Sequence, residues 1–312
     1  IRDRLRSRGL GDVYKRQLKN MPISFPGLFG DWELNIDPVA IHIGHGIYWY
    51  GIILAFAMLA GLYLCMKQAK HYGLTEDNIM DMVLWAVPCC IIGARFYYVL
   101  FYLDLYRNTD GSLDWGAMFR IWDGGLAIYG GVIGAVLTLL IFTKVRKQSF
   151  FSMADSGVLG LITGQIIGRW GNFFNCEAFG GYTDNLFAMR IKESIVNPSM
   201  ISAGLLEHEI VENGVKYIQV HPTFLYESCW NLCVLAFMLW YRKRKKFDGE
   251  MLWVYFLGYG LGRVWIEGLR TDQLKLPGTG LAVSQLLSAA LVGAAVGVLH
   301  YKHSKLKKQK NI

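Results

Sequence analysis

The chain is 312 residues long, 53% apolar and only 18% charged, and its 32 lysines and arginines against 24 aspartates and glutamates give a formal net charge of +8. That charged fraction is below the roughly 25% of a soluble globule, and the apolar fraction is too high for a disordered chain. Six cysteines and 35 scattered glycines fit neither a disulfide-stapled nor a collagen-like scaffold, so a polytopic membrane protein remains.

The opening IRDRLRSRGLGDVYKRQ is arginine-rich and has no apolar h-region, so it is not a signal peptide. DVYKRQ back-translates into a sequencing-adaptor repeat, GATGTGTATAAGAGACAG. Residues 1–20 are therefore expected to be a non-native extension, with the native start at Met21, and they are set aside here. Apolar runs long enough to cross a bilayer then follow at about 47–66, 79–102, 126–143, 154–170, 223–241, 250–269 and 281–300. The expected fold class is an all-α polytopic membrane protein of seven transmembrane helices.

Basic residues in the connections set its orientation, because positively charged loops stay cytoplasmic. Lys67 and Lys70, then Lys144, Arg146 and Lys147, then Arg242 to Lys246, and finally Lys302, Lys305, Lys307, Lys308 and Lys310 put fifteen cations on one side. The opposite connections hold Lys19, Arg107, Arg120, Arg190, Lys192, Lys216, Arg270 and Lys275. The N-terminus is thus expected outside and the C-terminus inside. Residues 21–300 form the seven-span body and residues 301–312 a basic cytoplasmic tail, whose charge serves topology and anionic lipid rather than nucleic acid. Residues 181–222 are too polar to span. They are expected to form a small extracytoplasmic cap, with NGVKYIQV as a hairpin strand after a turn dipeptide and the cap as a lid.

Arginine inside a span costs roughly 2.5 to 3.5 kcal/mol and persists where it is paired or used. At 1.5 Å rise per residue, Arg95 lies about 24 Å and Arg263 about 20 Å above the inner ends of spans two and six. Arg169 ends span four, which places all three arginines in the outer half. Tyr50 and Tyr129 fall at the same depth, with Glu177 just beyond span four and His221 and Glu227 at the start of span five. Tyr259, Arg263, Glu267 and Arg270, at i, i+4, i+8 and i+11, share a face of span six. Helix-stabilising ion pairs would explain single members, Arg263 with Glu267 for example. A surplus of guanidinium gathered at one depth instead suits an anionic lipid headgroup, because the guanidinium fork matches phosphate oxygens.

Other features are weaker. Gly130 and Gly134 read as close helix packing. Cys176 beside Glu177 is the only cysteine placed for chemistry, and the seven histidines show no metal-ligand spacing, so no metal site is expected. A membrane transporter or a non-catalytic lipid-binding helix bundle stands as the alternative. A transporter would place broken helices and polar groups at the midplane.

The string GRWGNFFNCEAFGG at 168–181 resembles the signature of the bacterial prolipoprotein diacylglyceryl transferase family, G-R-x-G-N-F-x-N-x-E-x-x-G. YWYGII at 48–53, GARFYYVLFY at 93–102, WDGGLAIYGGVIG at 122–134, HPTFLYE at 221–227 and GYGLGRVWIEGLR at 258–270 follow the family's order, so the resemblance covers about residues 21–300. It implies an enzyme of the bacterial plasma (inner) membrane, with its active site toward the outer leaflet. The implied reaction moves a diacylglyceryl group from phosphatidylglycerol to the lipobox cysteine of a preprolipoprotein signal peptide, without metal or organic cofactor.

The same resemblance assigns essential arginines to Arg169 and Arg263, signature positions to Asn172, Glu177 and Gly180, and other functional positions to Tyr50, Tyr259 and Glu267. Where the enterobacterial branch has an essential histidine near its W-D-G-G motif, this chain has Tyr129, so an imidazole base is missing there. Arg169 and Arg263 are expected to stabilise the departing phosphate, with Arg95 and Arg270 as supporting charge. Glu177, Tyr129 and Glu267 are alternative acceptors for the thiol proton. Asn172, Gly180, Tyr50, Tyr259, His221 and Glu227 are expected to bind or orient substrate.

Overall fold

The computed structural model describes residues 21–310 except Asp31, His45, Thr109, Pro277 and Thr279. The expected non-native extension at 1–20 lies outside the described residues. Two compact units are present, one of residues 62–157 and one combining residues 21–61 with 158–310.

Among the described residues the elements are β1 (Met21–Ser24), α1 (Pro26–Phe29), β2 (Glu33–Ile36), β3 (Val39–Ile41), β4 (Ile47–Tyr48), α2 (Trp49–Gln68), α3 (Glu76–Phe101), α4 (Trp115–Phe119), α5 (Ile128–Val145) and α6 (Phe150–Phe174). They continue with β5 (Met189–Lys192), α7 (Ala203–Leu206), β6 (Ile210–Glu212), β7 (Val215–Val220), α8 (Thr223–Tyr241), α9 (Glu250–Leu269) and α10 (Val283–Lys310). Six helices are long and apolar enough to cross a membrane: α2, α3, α5, α6, α8 and α10. The most apolar stretches of α3 and α10 are only 11% buried, the reverse of a water-soluble helix, so the protein is a multi-pass membrane protein whose apolar faces meet lipid. The seventh expected span, 250–269, coincides with α9. Glu250, Arg263 and Glu267 lie within it, and it does not join the six on apolarity.

In the 62–157 unit, α3 and α5 pack antiparallel. Gly93 faces Gly130, and Gly134 faces Cys89, so closely that a Cβ on Gly130 would lie 2.2 Å from the Gly93 carbonyl oxygen. The paired glycines let the backbones touch, as the glycine spacing predicts. Thr75 and Asn78 form a capping box at the start of α3, and Pro88 interrupts its hydrogen-bond ladder.

The other unit corrects the all-α expectation. A five-stranded antiparallel sheet runs in the order β2-β1-β5-β7-β6. Asn213 and Gly214, both at positive φ, close the β6–β7 hairpin as the turn dipeptide predicts. The sheet also recruits β1 and β2, so residues 181–222, expected as a self-contained cap, share their sheet with residues 21–36. Its inner face buries Ile23, Ile191, Ile218 and Val220 against Phe173, in the last turn of α6, and Phe179, just beyond it. Short strands of three to six residues carry too weak a period to stand out beside long apolar helices. The basic residues of the expected tail continue α10, which runs through Lys310 as one helix.

In the same unit α8 and α9 are antiparallel neighbours, with Trp230 lying against Gly262 and donating its indole N–H to the Gly258 carbonyl at 2.8 Å. A Cβ on Gly260 would meet Val292 of α10 at 2.7 Å.

Candidate active site

The signature string ends α6 and turns the chain back upon it. Cys176 and Ala178 hold φ of 48° and 58°, left-handed values that cost a non-glycine residue on the order of 1 kcal/mol or more. Between them the Glu177 N–H donates to the Asn172 carbonyl at 3.0 Å, which folds the carboxylate back over the helix end. The side-chain amides of Asn172 and Asn175 both donate to Glu177 Oε1 at 3.1 Å.

Gly180 then fastens the turn. Its N–H donates to the His221 carbonyl at 2.9 Å, His221 N–H donates to Gly181 at 3.0 Å, and Gly181 N–H donates to Leu269 at 2.9 Å. A Cβ on Gly180 would lie 2.7 Å from His221 Cβ and 2.8 Å from the Leu269 oxygen. The structure thus places Gly180, expected as a substrate contact, as the fastener joining the β7–α8 turn to the end of α9.

Glu227, one turn into α8 and 3% exposed at its side chain, sits between two arginines. Its Oε1 is 2.6 Å from Arg169 Nη2, an ionic contact with no aligned N–H, and its Oε2 accepts from Arg263 Nη1 at 3.0 Å. Arg263 Nη2 lies 2.5 Å from Glu267 Oε2, one helical turn on, as the i, i+4 spacing predicts. Glu267 Oε1 accepts from the Ser284 hydroxyl of α10 at 2.6 Å, and Arg270 Nη1 stands 3.8 Å from Oε2. Arg270 departs from the expected shared face, because α9 ends at Leu269 and Arg270 is extended. Its Nε and Nη2 grip both oxygens of Asp272, at 2.9 and 2.7 Å. Burial would push the Asp272 carboxyl up, but this fork outweighs it and holds the group below its ordinary value.

The expected guanidinium surplus is absent. Three arginines, Arg169, Arg263 and Arg270, meet the three carboxylates of Glu227, Glu267 and Asp272, and the Asn172 side chain links Arg169 to a fourth, Glu177. The distribution still favours an anion, since the arginine side chains keep 13–20% exposure while Glu227 and Glu267 keep 3% and 6%. At Arg169 and Arg263 the cations face outward with Glu227 and Glu267 behind them, whereas Asp272, 26% exposed, lies further out than its partner Arg270.

Around this cluster the Tyr50 ring packs on Gly171, which lacks the Cβ that would strike it at 2.8 Å, and lies within electrostatic reach of Glu177 and Arg169. Tyr259 stacks on Tyr255 at 5.4 Å and lies within reach of Glu227, Arg263 and Arg169. Tyr255 in turn accepts from Gln165 Nε2 at 2.9 Å. His221 Nδ1 is 3.4 Å from the Tyr226 hydroxyl, which accepts from Asn185 at 3.1 Å. Burial lowers the His221 ring below its ordinary value, which leaves it neutral at neutral pH.

Arg95 and Tyr129 belong to the 62–157 unit. Arg95 is fully engaged inside it: Nε donates to Met118, Nη1 to Gly124 and Gly125, and Nη2 to Ala117 and Arg120. With every donor on a backbone carbonyl, it fixes the 117–125 loop and has no N–H left for a phosphate, contrary to its expected supporting role. Tyr129 is half-exposed, its ring 6.4 Å from Tyr97.

Sequence reasoning missed Asn175, Asp272 and Ser284. Asn175 was legible inside the signature, and Asp272 follows Arg270 by two. A lone serine on a helix carries no such signal.

The family profile described as prolipoprotein diacylglyceryl transferase matches residues 38–301. A protein of Oceanobacillus iheyensis is 42% identical over 279 residues, covering 88% of this chain and 91% of its own. One from Listeria welshimeri is 40% identical over 274 residues (87% and 91%), and one from Lysinibacillus sphaericus 39% over 275 residues (88% and 95%). All three are named phosphatidylglycerol–prolipoprotein diacylglyceryl transferase. With the signature loop and paired arginines in place, the chain belongs to the prolipoprotein diacylglyceryl transferase family.

Proposed function

We propose that this chain transfers the diacylglyceryl group of phosphatidylglycerol to the lipobox cysteine thiol of a preprolipoprotein. The thiolate attacks the glycerol carbon that bears the phosphate. A C–S bond forms, the C–O bond breaks, its electron pair leaves with glycerol phosphate, and the thiol proton passes to an acceptor. The observation that carries this reading is the outward-facing pair Arg169 and Arg263 around the buried Glu227. Fixed cations at the departing phosphate stabilise charge that grows toward the transition state.

A thiol with an ordinary pKa of about 8.5 needs help to react as thiolate at neutral pH. Among the candidate acceptors, Glu177 is favoured over Glu267. Both Glu267 oxygens are held, by Ser284 and Arg263, whereas Glu177 has its two amide bonds on Oε1 alone among the described residues. Tyr129 remains a second candidate by its motif position.

The loop charges support a seven-span arrangement in the plasma (inner) membrane, N-terminus outside, with α9 as the seventh span and the arginine cluster toward the outer leaflet. Under this arrangement α9 crosses with Arg263 and Glu267 neutralising each other. Transporter and non-catalytic readings have no support in the relatives' names. The test combines purified protein, phosphatidylglycerol and a lipobox peptide, and reads the peptide mass. Addition of diacylglyceryl to cysteine, abolished by Arg169→Ala with the fold retained, is expected. An unmodified peptide with folded wild-type protein contradicts the proposal.

A further inference from the structure

Away from the arginines, α8, α9 and α10 line an open apolar groove of about 480 Å³, with Trp230, Cys233, Phe237, Leu257, Leu261 and His303 in its walls. Its α8 residues run from Trp230 to Tyr241, about 16 Å along the axis, close to the roughly 15 Å of hydrocarbon in one leaflet. At 100° per residue, Arg263 falls on the side of α9 opposite the lining residues Val254, Leu257, Gly258 and Leu261. The groove is therefore separate from the site described above.

Its inner end is cationic. Lys246 Nζ lies 3.3 Å from His303 Nδ1, Phe247 meets the His303 ring edge at 5.9 Å, and Lys302 Nζ stands 6.0 Å over the Phe247 ring. Among the described residues neither lysine meets a carboxylate. Nearby Glu250 is fully buried and already accepts from the Tyr241 hydroxyl and the Lys246 N–H, both at 2.5 Å, and lies 2.7 Å from His303 Nε2. Arg242, in the turn after α8, has a buried Nη1 with no partner. A dry slot one leaflet long, ending in unneutralised cations, is complementary to one class of ligand.

We propose that this groove binds an anionic phospholipid, with an alkyl chain between α8, α9 and α10 and the phosphate at Lys246 and Lys302. The proposal needs the membrane reading of the helices but not the transfer reaction.

Native mass spectrometry of the full-length protein in detergent, titrated with dioleoyl phosphatidic acid or dioleoyl phosphatidylcholine, tests it. Phosphatidic acid avoids the transferase substrate. Wild type should retain phosphatidic acid over phosphatidylcholine. Lys246→Ala with Lys302→Ala should weaken one bound equivalent about thirtyfold, the loss expected for two cations at a lipid surface, and leave peptide lipidation unchanged. Cys233→Trp, which adds bulk to the groove from an exposed position, should remove the same equivalent with both lysines present. Equal retention of the two lipids by wild type, or unchanged phosphatidic acid binding in the lysine variant, overturns the proposal. So does displacement of the lipid by equimolar inorganic phosphate, which would make the lysines a free-anion site.

Discussion

Arg263 bridges two buried carboxylates, so replacing it separates its structural from its proposed catalytic role. Arg263→Gln leaves Glu227 to Arg169 but leaves Glu267 with only Ser284 and an Arg270 nitrogen at 3.8 Å. Removing one partner of a buried pair costs about 3 to 5 kcal/mol, so the thermal transition should fall. Adding Glu267→Gln removes the stranded carboxylate and restores the cluster's net charge, so the double variant should recover most of that stability. Affinity for glycerol phosphate should follow a different pattern. A guanidinium about 4 Å from a phosphate charge, at an effective dielectric of 20, contributes about 4 kcal/mol, on the order of a thousandfold in affinity. Arg263→Gln and the double variant should both lose it, whereas Glu267→Gln alone frees the guanidinium and should bind tighter. Calorimetric titration of glycerol phosphate, with thermal scans in the same detergent, reads both quantities. Recovery of binding along with stability in the double variant would show that Arg263 is only a counter-ion, and the reasoning would fail.

Gly180→Ala should cost about 1 to 3 kcal/mol, because its Cβ meets His221 and the Leu269 carbonyl below 3 Å, and should broaden hydrogen exchange at Gly181 and His221. Unchanged stability would mean that the turn yields freely. Arg95→Met should strand five carbonyls and collapse exchange protection over 117–125, with a loss of about 3 kcal/mol or more. A protected loop in that variant would contradict the assignment. Asp272→Asn should cost about 1 kcal/mol at neutral pH. Because the folded carboxyl is held below its ordinary value of 3.8, its stabilisation is present above that pH and lost as the pH falls through the lower folded value. Thermal scans of variant and wild type should therefore converge as the pH falls from 3.8 through the lowered folded value; a constant gap refutes the pairing. His221, neutral when folded, acts in the same direction: its unfolded form takes a proton first, so stability should drop as pH falls below 6.5, and His221→Gln should flatten that drop.

Much of the site was legible because its chemistry is local in sequence. The i, i+4 spacing of Arg263 and Glu267 predicts their ion pair, and the signature string marks Asn172 and Glu177, which the structure joins by a hydrogen bond. Depth alone also grouped Arg95 with these residues, but depth is one coordinate of three. Its azimuth on α3 and the 117–125 carbonyls decide what it binds, and neither is written in a hydropathy pattern. The five-stranded sheet was half legible for a similar reason. The Asn213-Gly214 turn announces its own hairpin, but the pairing of β1 with β5 joins residues far apart in the chain. One consequence concerns the expected lid: deleting residues 181–222 would remove Ile191, Ile218 and Val220 from a shared core and leave β1 and β2 without their sheet, so it would not test a lid. Ser284 had no local signal, since its contact depends on where α10 begins relative to α9.

A structure of the protein with phosphatidylglycerol bound in a lipid nanodisc shows where the phosphate goes. Phosphate oxygens are expected within about 3 Å of guanidinium nitrogens of both Arg169 and Arg263, with Glu227 still behind them. A phosphate held elsewhere, with Arg169, Glu227, Arg263 and Glu267 still paired only to one another, would contradict this placement.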